Sequence, residues 1–203
     1  MIANLTMKQI LIIHGGTCFD SRRDYLDYLK KRTVDLEKFR VRNDWKENLA
    51  YELKGEYDVL LPKMPCKERS RYEDWSVWFK RITDACDSPV ILVGHSLGAL
   101  FIVKYLSENS IKISIEKTAL VATPFDESGL HESLADFSPP SSFFKLKEQA
   151  GEIYLIHSED DPVVPIGHLD KYKKALPEAK ILRFKEKGHF NQATFPELME
   201  FIK

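Results

Sequence analysis

Long hydrophobic runs are missing from this 203-residue chain: its purely aliphatic stretches stop at four residues, Ile10 to Ile13 and Val90 to Val93. A membrane span needs about 20 consecutive apolar residues, so none is expected. No basic stretch precedes an apolar one between Met1 and Met7, which argues against a secretory leader. A basic excess is also absent. Thirty Lys and Arg stand against 31 Asp and Glu, a formal net charge of −1, so no nucleic acid and no anionic membrane surface is expected as partner. Cysteine is scarce. Cys18, Cys66 and Cys86 are odd in number and lack paired metal-ligand spacing, which points to free thiols in a reducing compartment, with cytoplasm the expected location. The pair Gly15-Gly16 falls far short of a dinucleotide-binding glycine motif, and no phosphate-binding Walker loop occurs. No metal-ligand cluster is visible either, so neither a metal nor a cofactor is expected. Without repeats, low-complexity tracts or a Gly/Ser linker, residues 1–203 read as one domain.

What is present is an alternation of periodicities. Short continuous apolar runs at 9–14, 57–61, 89–93, 117–122, 152–157 and 180–184 read as strands buried on both faces. Between them lie helical spacings: Tyr72, Trp75, Trp78, Phe79 and Ile82, then Leu169, Tyr172 and Leu176 ahead of Pro177. Thr194-x-x-Glu197 reads as a capping box opening a last helix with Phe195, Leu198, Met199 and Ile202 on one side. Strands alternating with helices imply an α/β fold, a three-layer α/β/α sandwich around a mostly parallel sheet. Residues 20–43 interrupt this order. They suggest an inserted helix at 21–32 before a second one at 45–53, which opens on its own box, Asp44-x-x-Glu47. The insertion is either a solvated extension or a lid.

The sharpest motif is Gly94-His95-Ser96-Leu97-Gly98, placed after the run Val90–Val93 and before an almost wholly apolar helix at 97–106. A strand-to-helix turn this tight strains the backbone at the serine and stands its hydroxyl at the end of a strand. The glycines let neighbouring segments approach, and the helix N-terminus beneath favours an anion, with the Leu97 N–H as donor.

A serine hydroxyl needs a base, and the base an orienting acid. Of six histidines, His189 in Lys187-Gly188-His189-Phe190 follows the last strand, at the sheet edge where catalytic groups gather. The acid is expected at Asp161 in Glu159-Asp160-Asp161-Pro162, because the following proline fixes its backbone; Asp160 is the fallback. A second oxyanion donor is expected from His14-Gly15-Gly16-Thr17, at Gly16 or else Thr17. Phe125, Trp78, Phe190 and the inserted helix are candidate pocket walls, and Cys18 a candidate reactive thiol or small buried residue.

The chain order Ser96, Asp161, His189 is that of an α/β-hydrolase. Together with Ile13-His14-Gly15-Gly16, Leu61-Pro62-Lys63-Met64-Pro65, Val121-Ala122-Thr123-Pro124 and Asp160-Asp161-Pro162, it resembles the small serine hydrolases of the retinoblastoma-binding-protein hydrolase family and its bacterial relatives. The resemblance implies a compact hydrolase core without a large cap domain, from which the insertion at 20–43 departs. The expected activity is hydrolysis of an ester or amide acyl bond in a small-molecule substrate, carboxylesterase-like, through an acyl-enzyme. The rival readings are a catalytically weak binding protein on the same scaffold, and a thioesterase or acyltransferase using the same triad.

Overall fold

The protein is described by a computed structural model over residues 7–40, 43–87 and 89–203. Strands β1 (Lys8–Ile13), β2 (Tyr57–Leu60), β3 (Val90–His95), β4 (Ile115–Val121), β5 (Glu152–Ser158) and β6 (Lys180–Phe184) form one sheet. Its order is β2-β1-β3-β4-β5-β6, and every neighbouring pair is parallel. The strands read as unbroken apolar runs because both faces are covered. Successive side chains point to opposite faces, so Leu11, Ile13 and Leu92 join one core while Ile10, Ile12, Ile91 and Val93 join the other. The first core is closed by α3 (Tyr72–Ala85), α4 (Leu97–Glu108), α5 (Phe144–Gln149) and α6 (Gly167–Ala175). The second is closed by α2 (Trp45–Glu52) and α7 (Pro196–Ile202). The result is the three-layer α/β/α sandwich.

From β1 the chain moves outward to β2, then returns to place β3 on the other side of β1. The two central strands therefore send their following segments in opposite directions, and a crevice opens at their carboxyl ends. The serine turn sits at this switch point. Its glycines are dictated by contact: a Cβ at Gly94 would lie 2.5 Å from Ala99 Cα, and one at Gly98 would lie 2.3 Å from the Ile13 carbonyl oxygen.

Helix α2 begins as its sequence suggests, with both halves of the Asp44/Glu47 capping box formed. Trp45, Leu49 and Leu53 go to the core, although Leu53 is the C-cap and lies just past the helix. The Thr194/Glu197 box, by contrast, does not form. Helix α7 starts with Pro196, its N-cap position is Phe195 without a side-chain cap bond, and Glu197 is instead paired with Lys187 at 2.8 Å. Proline preorganises that start and has no N–H to satisfy. In the insertion, α1 (Arg22–Lys31) is capped by Ser21 and buries none of its residues. A 3₁₀ turn follows at Leu36–Phe39; residues 41 and 42 lie outside the described residues. Phe19 packs on Tyr25 and Tyr28, which ties α1 to the loop after β1. Periodicity gives no element between β4 and β5, yet α5 and a 3₁₀ turn at Ala135–Phe137 occur there.

The glycine contacts give a paired test. Replacing Gly98 by Ala is expected to cost at least about 2 kcal/mol, because backbone and not a flexible side chain blocks the methyl. Gly167, the first residue of α6 with open space around its Cα, should gain up to about 1 kcal/mol on the same change. Urea unfolding of both variants measures this; equal effects would contradict the packing account.

Candidate active site

Ser96 joins β3 to α4 with φ 56° and ψ −124°, a backbone conformation that a residue with a side chain adopts only under constraint. Its N–H donates to the Val121 carbonyl at 2.8 Å, which pins the turn to the adjacent strand. The Oγ atom is thereby held 3.0 Å from His189 Nε2. His189 Nδ1 is in turn 2.9 and 3.0 Å from the two carboxylate oxygens of Asp161. Read as hydrogen bonds, the Ser96 hydroxyl donates to Nε2 and the Nδ1–H donates to Asp161, which requires a neutral imidazole with its proton on Nδ1.

The two neighbouring aspartates divide their work. The Asp161 side chain is fully buried, and its Oδ1 also accepts the N–H groups of Val163 (2.8 Å) and Val164 (2.9 Å). Those bonds close the turn around Pro162 and aim the carboxylate at His189. Asp160 is exposed and faces a different loop: its Oδ1 accepts from Ser158 Oγ (2.5 Å) and from the Gly188 N–H (2.8 Å). It fastens the loop carrying His189 to the end of β5, and the Ser158 and Gly188 bonds hold its carboxyl below the usual carboxylate range.

The loop after β1 reaches the same point. A Cβ on Gly15 would lie 3.2 Å from Ser96 Cβ, and one on Gly16 would collide with Ser70 Oγ and the Lys67 carbonyl. The Thr17 N–H is already donated to Lys67 O at 2.8 Å. The N–H groups of Gly16 and Leu97 have no acceptor among the described residues, and both residues border the cavity that Ser96 enters. Leu97 is the first residue of α4, where an N–H lacks an intrahelical acceptor.

Four other histidines are backbone clips around this centre. His14 donates from Nδ1 to Gly15 O (2.6 Å) and accepts the Met64 N–H at Nε2 (2.9 Å), which joins the Gly-Gly loop to the Met64-Pro65 segment. Trp75 seals the same junction by donating to Pro65 O at 2.8 Å. His95 Nε2 is 2.8 Å from His189 O, and Trp45 Nε1 donates to Phe190 O at 2.9 Å, so two rings grip the histidine loop. His157 Nε2 is 2.8 Å from Val164 O beside the aspartate turn. His168 accepts the Phe125 N–H (2.9 Å) and faces Ser128 O (2.9 Å) in the loop after β4. Burial holds all four imidazoles below their ordinary pKa, His95 well below it. The bonding of His14 and of His168 is satisfied only by a neutral ring.

The cavity measures about 190 Å³ and is bordered by Ser96, Gly16, Cys18, Leu97, Pro124, residues 130–134 and residues 162–164. An engineered apolar cavity of about 150 Å³ holds benzene, so the space suits a group of roughly that size. Ser96 also borders a more polar cleft of about 300 Å³ that includes His14, Lys46, Lys67, Glu132, His189 and Asn191. The expected walls are corrected by this lining. Phe190 is fully buried in the second core, Phe125 packs on Phe143 and Tyr172, Trp78 is exposed on α3, and α1 does not border the cavity. The wall comes instead from residues 130–134, which no periodicity or motif marks. Cys18 is buried at the cavity edge, and burial pushes its thiol up to about 12, which fits the small-hydrophobe reading over a reactive thiol. Among the described residues no group of three His, Cys, Asp or Glu is placed to hold a metal ion, and no helix is long and apolar enough to cross a membrane.

A parallel sheet with this strand order, covered on both faces and carrying a strained serine turn at its switch point, defines an α/β hydrolase fold. Comparison with solved structures agrees. The ydeN gene product of Bacillus subtilis superposes with a TM-score of 0.75 at 22% identity, covering 97% of each chain. A meta-cleavage product hydrolase of Pseudomonas fluorescens superposes with a TM-score of 0.63 at 14% identity, covering 97% of this chain and 88% of that one. Within that fold the serine hydrolase family model matches residues 40–198, and the chain belongs to this family. It is similar to the serine hydrolase RBBP9 of Rattus norvegicus, 29% identical over 147 residues that cover 72% of this chain and 77% of the relative.

Two measurements follow from the buried groups. In the unfolded chain the histidines titrate near 6.5, whereas His14, His95, His157 and His168 resist protonation in the fold. The unfolded state therefore binds more protons below about pH 6.5. The contribution of these four histidines should be constant above that value and fall as pH drops towards their folded pKa values, by up to about 1.4 kcal/mol per pH unit for each histidine. Urea unfolding at pH 7.5 and 5.5 checks this; equal free energies would contradict it. Alkylation at pH 8 should label exposed Cys66 and spare Cys18, as peptide mass mapping would reveal.

Proposed function

We propose that the chain hydrolyses an ester-type acyl bond of a small molecule through Ser96, His189 and Asp161. The observation that carries this reading is the unbroken chain of hydrogen-bond distances from Ser96 Oγ through the His189 ring to a buried carboxylate. Ser96 Oγ attacks the acyl carbon as His189 Nε2 takes its proton. The oxygen of the tetrahedral intermediate accepts the N–H groups of Leu97 and Gly16, two donors beside Ser96 left without an acceptor among the described residues. Asp161 keeps the imidazole in the Nδ1–H tautomer and stabilises its charged form. His189 then returns the proton to the leaving group, the bond breaks, and a water activated by the same imidazole cleaves the acyl-enzyme.

The apolar cavity next to Leu97 suits a compact acyl group, and the polar cleft beyond His189 leaves room for the leaving group and for water. No step calls for a cofactor.

Ser96→Ala is expected to lower kcat on short-chain esters by about 10⁴- to 10⁶-fold, and Asp161→Asn by about 10⁴-fold, with the fold intact by circular dichroism. Turnover by folded Ser96→Ala at the wild-type rate would overturn the mechanism.

A further inference from the structure

Of the described side chains bordering the inner cavity, Glu132 alone is an acid or a permanent cation; the rest are apolar, glycine, serine, cysteine and His131. Glu132 also borders the outer cleft, as do Ser96, Gly16 and Val163, so it is one of the four residues shared by the two spaces that meet at the serine. We propose that Glu132 forms a subsite for positive charge, so that the acyl group delivered to Ser96 is compact, apolar and carries a cation near the carbonyl. This rests on the hydrolase reading above and names its substrate class.

The first support is that Glu132 has no ion pair and no hydrogen bond among the described residues, while its neighbours are engaged. Ser133 Oγ bonds both Asp20 (2.9 Å) and Glu127 (3.0 Å), and Glu127 also accepts the Leu134 N–H, so the loop holds its shape without using Glu132. The titratable groups near enough to act on Glu132 are His189, Arg32 and Glu68, none of them within ion-pair distance. Of the lysines in the outer cleft, Lys46 is held by Asp44 at 2.5 Å. The remaining charged groups there, Lys67 and Glu68, are of opposite sign and adjacent in sequence.

The second support is the surroundings. Glu132 is exposed at the cavity rim, yet partial desolvation there already raises its carboxyl above its ordinary value without substrate. A neutral substrate filling the cavity would remove more water from that carboxylate and offer nothing in return, whereas an ammonium group would compensate it. An anionic acyl group would meet like charge. Leu97, Leu130, Leu134 and Val164 supply the apolar surface for the rest of the group.

An isosteric pair isolates the charge: the ethyl esters of trimethylammonioacetate and of 3,3-dimethylbutanoate differ only by a positive nitrogen in place of a carbon. The ratio of their kcat/KM values is measured in wild type, Glu132→Gln and Glu132→Lys. Intrinsic ester reactivity cancels when ratios are compared between proteins. Glu132→Gln should lower the cation-to-neutral ratio about tenfold, and Glu132→Lys should lower it further. A fall of less than about fivefold in Glu132→Gln overturns the cation subsite and leaves the hydrolase reading standing. A wild-type protein that cleaves neither ester, nor any short-chain ester, overturns the hydrolase reading itself.

Discussion

A serine held at φ 56° stores strain that the surrounding fold has to override, and the architecture around β3 does so from several sides. Val121 accepts the Ser96 N–H, Ala99 N–H returns to the Ser96 carbonyl, and the flanking glycines let Ala99 and the Ile13 carbonyl come within distances that a methyl would forbid. The buried helix α4 then cannot shift, because nine of its residues are packed in the core. Position of the hydroxyl is thus a consequence of backbone packing at the join of β1, β3 and β4. The remaining site parts need only be brought to that fixed point.

They are brought by loops, and each loop is fastened by polar side chains to backbone groups. Asp160 and Ser158 hold the His189 loop from below, while His95 and Trp45 hold it from the side. His14 and Trp75 couple the Gly-Gly loop to the Met64-Pro65 segment. Neutral imidazole suits this work because one ring can donate and accept at once, as His14 does between Gly15 and Met64. The same choice carries a thermodynamic cost on the acid side, since a protonated ring loses its acceptor and a buried charge is unfavourable. Precision at the site and acid sensitivity of the fold have one origin.

Much of the fold was legible in the sequence because strands covered on both faces advertise themselves as short unbroken apolar runs, and all six runs became strands. The serine turn was legible for a steric reason, as Gly94 and Gly98 mark close approach of backbone. Asp161 stood out from Asp160 through Pro162, whose restraint on the preceding residue is local chemistry. What failed was set by tertiary contact. Pro196 displaced the Thr194/Glu197 cap, and Glu197 found Lys187 across the turn instead. The wall at 130–134 has no periodicity, since its shape comes from Glu127, Asp20 and Lys171–Asp126 contacts. Phe190 looked like a wall residue from its place beside His189, but its positive φ turns it into the second core.

His189, steadied by Asp161, is proposed to activate Ser96 and no other hydroxyl. The most direct measurement is the rate at which a fluorophosphonate labels the protein, with the modified residue located by peptide mass spectrometry. Rapid modification at Ser96 alone is expected, slowed by about a thousandfold or more in His189→Ala. Modification at another residue, or an unchanged rate at Ser96 without the imidazole, would contradict it.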